Sequence, residues 1–537
     1  MPKSMISIKK ALMVSSAPKL LFSAVSAAVM LVSLMSVLPQ DIFAGPAETY
    51  LRAPRIYDFV IAALTFIVCY ALLSALQSLY GRIGSGEVKP LSAKQGFVIF
   101  IILCLCWLPY WLNYFPGGLY SDTIICFRMA MGEHALTNHH PILYTGIIKL
   151  CLMIAKGDPQ GATFWLTFGQ YLFCAGTLAY IVRWLSQKGI GRLGTRLVVI
   201  FFALFPFFPL YAVYNWKDTP FAMSLVLFTL TVFDIALSKG DAMTSPRCTL
   251  AYCLWGLLVC FLRNNGMYIV LLTTIMLMIV YRKNVFNHMK GFTLTAVLMS
   301  FLVLVVQGPI FSAMGLKTDS AVESFGIPIQ QVGAVIVKDK LSKDEEAYFK
   351  RILPIDQWQA YYAPLVVDHL KWDAPDFRYG PIEAEPGTFV LRWAKLLPGH
   401  FPAMVEAYLL ATNSYWHLFR TMGICNIEMG IWFDNIGVKN INLLKNVTTI
   451  DLTRAVESIP PFPEGICLFF LFTGVMLLIL TGKASTALGY IPILLAVLTV
   501  FLATPIASSL RYVFYLVPMI PVYCLAPLFT EKTAIRF

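Results

Sequence analysis

The sequence contains few charged side chains for its length. Only 13% of its 537 residues are Asp, Glu, Lys or Arg, whereas a soluble domain has about 25%. A chain this long can bury a core without lipid, so small size does not explain the shortage. The composition excludes a disordered chain, a soluble enzyme and a secreted disulfide scaffold. With 58% hydrophobic residues, it indicates a polytopic membrane protein of the all-α class.

Several signature motifs are also missing. No Cys-x-x-Cys pair is accompanied by a second pair of metal ligands, so the twelve cysteines predict no zinc site. Neither a Walker A loop nor a dinucleotide-binding glycine motif is present, which argues against a nucleotide-driven pump. No small-residue cleavage site follows the first apolar run, so we interpret that run as a retained anchor and not as a signal peptide.

Long apolar runs dominate what remains. A helix needs about 20 residues to cross the hydrocarbon core, and fewer where the bilayer thins. Runs of suitable length predict twelve transmembrane helices, near residues 19–39, 57–79, 96–115, 161–182, 196–213, 218–237, 247–262, 266–281, 291–312, 465–482, 486–505 and 509–529.

Lysine and arginine set the orientation of these spans. The N-terminal segment, five later connections and the C-terminal tail together hold 19 basic residues and three acids. All fall on the cytoplasmic side if a thirteenth run, His139–Ala155, does not cross. We therefore interpret that run as a juxtamembrane or re-entrant helix on the outer face, with thirteen ordinary spans as the alternative. Both termini are then cytoplasmic, and the net charge of +12 reflects membrane anchoring and not nucleic-acid binding.

One long segment, residues 313–464, is extracytoplasmic in this topology. It holds 14 basic and 18 acidic residues, a net charge of −4, which leaves +16 for the rest of the chain. Ser342 followed by Glu345 has the pattern of a helix capping box. Repeated prolines punctuate the residues that follow. We expect an ordered, partly helical outer domain or lid.

The third span leads into an outer loop with candidate catalytic residues. Asp122 follows a Pro-Gly-Gly turn and begins a predicted short helix. Ser121 or Asp122 could simply cap that helix, or Asp122 could be a general base held at the membrane surface. His139 and His140 lack a third nearby metal ligand, so they are better suited to bind a phosphate or to orient a carboxylate.

Further polar residues lie at the outer ends of other spans. Each has an ordinary explanation, because Lys217, Arg263 and Arg511 could snorkel to headgroups and the others suit a cap or a tight turn. Their joint occurrence at the ends of five elements favours a site. A cationic cluster beside a carboxylate suits group transfer from a lipid-linked phosphate. Candidate supporting or acceptor-binding residues are His139, His140, Asp218, Asn264 and Asn265.

The order of these features resembles the GT-C superfamily of polyprenyl-phosphate-sugar glycosyltransferases. More narrowly, the chain from about residue 96 onward is similar to a poorly characterised family of bacterial multi-pass proteins associated with cell-surface polysaccharides. The segments that carry this similarity are "FPGGLYSD…NHHPILYT", "WKDTPF", "RNNG", "ILPIDQWQAYYAPLVVD" and "SSLRYVFYLVP".

The resemblance implies roles for particular residues. In GT-C enzymes the first outer loop supplies an acidic base, and Asp122 matches that place. Later outer loops bind the donor phosphate, for which Lys217, Arg263 and Arg511 are the candidates. Two spans precede the GT-C-like part, and no Asp-x-Asp or Glu-x-Asp motif surrounds Asp122. The missing second carboxylate leaves metal dependence open and favours a metal-independent donor of the monophosphate type, without a cofactor.

The resemblance also implies a domain plan. Two extra spans occupy residues 1–95, and a GT-C-like core with the catalytic outer loop 115–160 occupies 96–312. The outer domain spans 313–464, and three C-terminal spans occupy 465–537.

The sequence thus predicts an inverting glycosyltransferase of the bacterial cytoplasmic (inner) membrane, with its site on the outer face. Its expected partners are a polyprenyl-phosphate sugar, a glycan or lipid-linked acceptor, and membrane lipid, without nucleic acid. Two alternatives remain open: a polysaccharide polymerase or ligase that uses a lipid-diphosphate glycan, and a transporter or flippase.

Overall fold

The protein is almost entirely helical in the part of the chain that the structure describes. The computed structural model describes residues 3–37, 43–45, 50–82, 89–282, 290–316, 320–418, 436–447, 451–460, 462–504, 506–507 and 509–530, without the side chains of 3–15 and 321. The first eleven helices are α1 (Lys3–Met35), α2 (Ile56–Arg82), α3 (Ala93–Asn113), α4 (Ser121–Met131), α5 (Ile142–Ile154), α6 (Pro159–Gln187), α7 (Arg192–Leu204), α8 (Phe207–Val213), α9 (Asp218–Leu237), α10 (Pro246–Leu262) and α11 (Gly266–Val280).

The later helices belong to the ninth predicted span, to the outer segment and to the C-terminal spans. They are Lys290–Val305, Phe311–Ala313, Ala321–Ser324, Gly326–Lys338, Lys343–Phe349, Ile355–Tyr361, Gly380–Ala384, Pro386–Ala411, Asn413–Trp416, Leu452–Glu457, Glu464–Leu480, Ile491–Ala503, Leu510–Val513 and Ile520–Leu525. Short 3₁₀ turns are Asp241–Thr244, Ala484–Tyr490, Phe514–Leu516 and Ala526–Leu528, and π-helical turns are Val306–Ile310 and His369–Asp373.

Eight helices of the described chain are long and apolar enough to cross a membrane, which confirms a polytopic all-α membrane protein. They are Ser16–Met35, Ile56–Arg82, Ala93–Asn113, Pro159–Gln187, Asp218–Leu237, Lys290–Ala313, Ala484–Ala503 and Leu510–Leu528. A ninth crossing arises if α7 and α8, which are bent by 54°, form one span. Shorter apolar helices lie at Ile142–Ile154, Pro246–Leu262, Gly266–Val280 and Glu464–Leu480. Each of the twelve predicted runs thus contains a helix, and the number of twelve crossings stays a prediction.

Two local features explain the interrupted helices. The break between α7 and α8 falls at Pro206, because proline lacks an amide hydrogen and excludes the residue before it from helical geometry. Helix α5 begins directly after Pro141 and has 13 residues. At 1.5 Å per residue it is about 20 Å long, which is compatible with the predicted juxtamembrane or re-entrant helix.

Helix α9 forms the centre of the helical bundle. Its hydrophobic stretch is 94% buried, compared with 17% for α2 and α3. Helix α9 carries buried apolar residues on all of its faces, which is the pattern of a helix enclosed by other helices. The N-terminus of this central helix is Asp218, so the loop before it is attached to a helix that is almost completely buried.

A second hydrophobic core lies in the predicted outer segment. It comprises buried side chains between Val322 and Ala407, including Trp358 and Phe389. The capping box predicted at Ser342 is present: the Ser342 hydroxyl accepts from the Glu345 amide at 3.3 Å, and the Glu345 carboxylate accepts from the Ser342 amide at 2.8 Å. Residues 317–319, 419–435, 448–450 and 461 of this predicted domain lie outside the described residues.

This outer segment is joined to the C-terminal spans and to the loop after α3. The Ala507 amide donates to the Leu365 carbonyl at 2.8 Å. Further along, the Ile441 amide donates to the Phe115 carbonyl at 2.7 Å. The Asn440 side chain donates to the carbonyls of Tyr114 and Gly117, each at 3.0 Å. The segment therefore covers the end of the bundle where the candidate residues lie.

Candidate functional site

Two very short strands align the two loops that carry the main candidate residues. Strands β1 (Gly118–Leu119) and β2 (Tyr214–Asn215) are parallel, with Gly118 opposite Tyr214 and Leu119 opposite Asn215. Asp122 follows three residues after β1, and Lys217 follows two residues after β2. This pairing therefore fixes the separation of a carboxylate and an ammonium that are 95 residues apart in sequence.

Buried polar side chains hold the strand pair in place. The Asn215 amide donates to the Gly118 carbonyl at 3.2 Å and to the Thr167 hydroxyl at 2.8 Å. The Thr123 hydroxyl donates to the Asn215 carbonyl at 2.6 Å. Gly117 has φ +148°, and a Cβ there would lie 2.0 Å from the Thr167 hydroxyl oxygen. Only glycine fits between this loop and α6.

The centre of the site is a contact between Lys217, Asp122 and His140. The Lys217 ammonium donates to the Asp122 carboxylate at 3.0 Å and lies 2.8 Å from His140 Nδ1. An ammonium has no lone pair, so His140 Nδ1 must accept, and the ring proton belongs on Nε2. Arg511 approaches the same Asp122 oxygen at 3.4 Å. The structure thus brings together four of the residues singled out from sequence.

Aromatic rings enclose the Arg511 guanidinium. Its carbon lies 5.0 Å from the ring centroid of Tyr120, 5.6 Å from Trp216 and 4.8 Å from Tyr512. Arg511 also donates to the Tyr512 hydroxyl at 2.9 Å. These rings orient a planar cation without neutralising it. These rings were not predicted from the sequence, in which the adjacent Arg511-Tyr512 pair is the available signal.

Arg263 and Asp218 form a second ion pair beside the first. The Arg263 guanidinium contacts the Asp218 carboxylate, which is 1% exposed. The guanidinium carbon lies 5.1 Å from the centroid of Tyr512, so that one ring contacts both arginines. Asp218 lies in the first turn of α9, where the helix dipole favours a negative charge.

The charges around Asp122 and His140 determine their protonation. Burial alone would raise the pKa of the Asp122 carboxyl, but Lys217 and Arg511 overcome it and hold this pKa well below the usual value of 3.8. Burial, reinforced by the Lys217 charge, lowers the pKa of His140 from 6.5 to about 2. At neutral pH the site therefore contains a carboxylate and a neutral imidazole.

The remaining predicted residues lie around this centre with different contacts. The Asn264 side chain donates to the Asn138 carbonyl at 3.0 Å, and the Asn265 side chain donates to the Thr499 hydroxyl at 2.8 Å. These bonds tie the turn between α10 and α11 to its neighbours. The ring of His139 packs on His140, with centroids 4.7 Å apart. All nine predicted site residues are therefore grouped at one end of the bundle.

Several buried polar atoms at the site have no hydrogen-bond partner among the described residues. Arg511 Nε and Trp216 Nε1 are donors of this kind, and Asp218 Oδ2 is an acceptor. Buried donors without partners are uncommon in proteins. Unsatisfied donors next to cations are what an acceptor-rich ligand such as a phosphate would satisfy.

The donor set does not fit a divalent cation. Among the described residues no group of three or more His, Cys, Asp and Glu side chains could hold a metal ion. Asp122 and Asp218 are each paired with Lys or Arg, so a cation would have to displace them.

Comparison with known proteins gives one match. Residues 129–536 match the model of a family of unknown function, DUF6020. Lys217, Arg263 and Arg511 lie inside the matched region, and Asp122 lies shortly before it. No curated protein and no solved structure matches the chain significantly. Because the match covers about three quarters of the sequence, the chain belongs to the DUF6020 family.

Proposed function

We propose that the protein is an integral membrane glycosyltransferase of the GT-C type. It moves a sugar from a polyprenyl-phosphate donor to a cell-surface glycan or a lipid-linked acceptor. The observation that carries the proposal is the contact of Asp122 with Lys217 and Arg511 at one end of an apolar bundle. A carboxylate and flexible or planar cations at a membrane surface are the groups needed to activate a hydroxyl and to receive a phosphate.

The proposed topology has twelve crossings, cytoplasmic termini and a site on the outer face of the bacterial inner membrane. Helix α3 supports it, because it runs from the basic end of the bundle to the loop that carries Asp122. At its start, the Leu91 amide donates to the Ser186 hydroxyl at 2.8 Å. This bond ties the start of α3 to the end of α6, close to the basic residues 183–196. In this topology the site and the basic loops lie at opposite membrane faces.

The balance of charge favours a monophosphate donor. Lys217, Arg263 and Arg511 contribute three positive charges, and Asp122 and Asp218 contribute two negative ones. His140 is neutral, so this group of residues has a net charge of +1. A sugar–phosphate–polyprenyl diester carries one negative charge and would make the site neutral. A lipid diphosphate carries an additional negative charge that none of these residues offsets.

Donor binding would convert the resting ion pair into a competent base. The donor phosphate competes with Asp122 for the Lys217 and Arg511 hydrogen bonds, since both cations contact the same Asp122 oxygen, at 3.0 and 3.4 Å. As the cations turn toward the phosphate, the pKa of Asp122 rises toward its ordinary value. Asp122 is then able to accept a proton from the acceptor hydroxyl.

The transfer step follows from this arrangement. The acceptor oxygen gives its proton to Asp122 and attacks the anomeric carbon, while the bond from that carbon to the phosphate oxygen breaks. The electron pair leaves with the polyprenyl phosphate, which Lys217 and Arg511 stabilise. Attack opposite the leaving group inverts the anomeric configuration. Asp122 finally releases its proton to water.

The decisive variant is Asp122→Asn in the full-length protein in lipid nanodiscs. Supplied with a polyprenyl-phosphate hexose and an acceptor, it should transfer sugar at least about 100-fold more slowly than the wild type, because general base catalysis is lost. Asp241→Asn is the matched control, since Asp241 is exposed and lies far along the chain in a basic connection. Full transfer by Asp122→Asn would refute the assignment of the base.

A further inference from the structure

Trp372 is an exposed aromatic side chain on the outer segment. It is 59% exposed, and among the described tryptophans only Trp165, at 41%, is also exposed. Trp165 lies on α6, a helix long enough to face lipid. An indole that stays in water does not gain the free energy of burial. Because Trp372 lies outside the apolar helices that could face lipid, we examine whether a ligand covers it.

The ring is held by a fixed turn. It belongs to the π-helical turn His369–Asp373, a conformation that often occurs at functional sites. Its neighbour Lys371 has a fully buried side chain that contacts Glu323 at 2.6 Å and Asp368 at 2.9 Å. The Lys371 ammonium lies 5.9 Å from the Trp372 centroid. The ion pairs therefore fix the base of the turn while the indole stays accessible.

This turn adjoins the candidate site. The Trp372 and His139 ring centroids are 6.3 Å apart, and His139 packs on His140. His140 contacts Lys217, which contacts Asp122. Four successive side-chain contacts, through His139, His140 and Lys217, thus connect Trp372 to the catalytic candidate.

We infer that Trp372, with His139 and Asp368, forms a subsite for a pyranose ring of the acceptor glycan. This inference rests on the proposed function. The C–H face of a pyranose is apolar and would cover the exposed indole, while the imidazole and the carboxylate are suitable partners for its hydroxyl groups. Asp368 remains 31% exposed beside Lys371, so it is accessible to such a hydroxyl.

A membrane-interface role for Trp372 fits the surroundings less well. Interfacial tryptophans are normally accompanied by apolar or basic residues that face the lipid. Here Asp373 follows directly with a side chain that is 58% exposed, and Asp376 is also exposed. Anionic headgroups would repel these carboxylates, whereas a neutral hexose would not.

The direct test is oligosaccharide binding to the full-length protein in phosphatidylethanolamine–phosphatidylglycerol nanodiscs. Saturation-transfer NMR with maltohexaose, cellohexaose and chitohexaose as probes should show transfer to at least one of them. Trp372→Ala should weaken that binding about tenfold, because the stacking surface is lost, and Trp372→Phe should retain most of it. Trp165→Ala, at the other exposed tryptophan, should bind like the wild type.

Defined results would overturn the subsite. One is the absence of saturation transfer to all three probes. Another is unchanged oligosaccharide binding by Trp372→Ala, and a third is an equal loss of binding in Trp165→Ala. Strong quenching of Trp372 fluorescence by brominated lipid, measured as the difference between wild type and Trp372→Phe, would assign the ring to the membrane and also contradict the proposal.

A parallel measurement separates this inference from the proposed transferase activity. Asp122→Asn should bind the same oligosaccharide with unchanged affinity, because the base does not hold the distal ring. In transfer assays Trp372→Ala should raise KM for the acceptor and leave KM for the donor unchanged. Oligosaccharide binding at Trp372 without any sugar transfer by the wild type would refute the transferase and retain the subsite.

Discussion

Lys217 is shared between two partners, and this sharing sets the chemistry of the site. Its ammonium neutralises Asp122 at 3.0 Å. Burial lowers the pKa of His140, and the Lys217 charge 2.8 Å away adds to this effect. A base in such an ion pair is weak, because the pKa of Asp122 is held low. The same ammonium is flexible enough to follow a phosphate when one arrives. In the proposed mechanism, activation of the base is therefore coupled to binding of the donor.

Arg511 should not tolerate replacement by lysine. Arg511→Lys keeps the charge but loses the planar group that lies among the rings of Tyr120, Trp216 and Tyr512. We expect kcat/KM for sugar transfer to fall about 10- to 100-fold. Arg192→Lys, on the exposed start of α7, is the control and should be neutral. Equal activity of Arg511→Lys and wild type would show that only charge matters.

His140 should make the folded protein less stable in mild acid. Its folded pKa of about 2 lies below the unfolded value of 6.5, so the unfolded chain binds the proton first. Stability is complete above pH 6.5 and decreases as the pH falls, by about 2 kcal/mol at pH 5. Asp122 adds nothing in this window, since its contribution is lost only below its unfolded pKa of 3.8.

The measurement is the melting temperature in detergent at pH 7.5 and pH 5.0. Between pH 7.5 and pH 5.0 the melting temperature of the wild type should fall further than that of His140→Gln, in which the buried imidazole is absent. His134→Gln, at an exposed histidine, should behave like the wild type. An identical pH dependence in His140→Gln and the wild type would contradict a neutral buried His140.

At the scale of elements, two strands of two residues each set the position of Asp122 relative to Lys217. The parallel pair of β1 and β2 connects loops from distant parts of the chain. Gly117 sits where α6 leaves no room for a side chain. Gly117→Ala should therefore displace the Asp122 loop, because the Cβ would meet the Thr167 hydroxyl at 2.0 Å and φ is +148°.

The expected result for Gly117→Ala is loss of most sugar transfer together with a lower melting temperature. A destabilisation of about 1–3 kcal/mol is typical of such a strained position. Gly169→Ala is a matched control, since no atom lies within 4 Å of a Cβ at this position of α6. Wild-type transfer and an unchanged melting temperature in Gly117→Ala would contradict the close contact between this loop and α6.

The helices were predictable because apolar length is a local property of the sequence. So was the grouping of Asp122, Lys217, Arg263 and Arg511, since positive-inside topology makes outer basic residues conspicuous. The pairing of Gly118 with Tyr214 was not predictable, because two residues carry no periodic signal. The aromatic enclosure of Arg511 and the position of Trp372 also depend on tertiary contacts between distant segments.

At the scale of the whole molecule, the proposed topology places the candidate site and the basic connections on opposite faces of the membrane. Cysteine accessibility in intact bacterial cells tests this. Asp373→Cys should react with a membrane-impermeant maleimide in intact cells, since Asp373 is exposed on the outer segment. Arg192→Cys should react only after permeabilisation, because the basic connection before α7 is cytoplasmic in the proposed topology. The unmodified protein supplies the background of its native cysteines. Labelling of Arg192→Cys in intact cells would invalidate the topology.

The central claim is that this bundle transfers sugar from a lipid monophosphate. The most direct measurement follows a polyprenyl-phosphate hexose, labelled in the sugar, with wild-type protein in nanodiscs and a glycan acceptor. We predict one polyprenyl monophosphate released for each hexose transferred, and a product whose anomeric configuration is opposite to that of the donor. The proposed transfer from a lipid monophosphate is contradicted if the labelled hexose stays on its lipid while a lipid-diphosphate glycan is consumed.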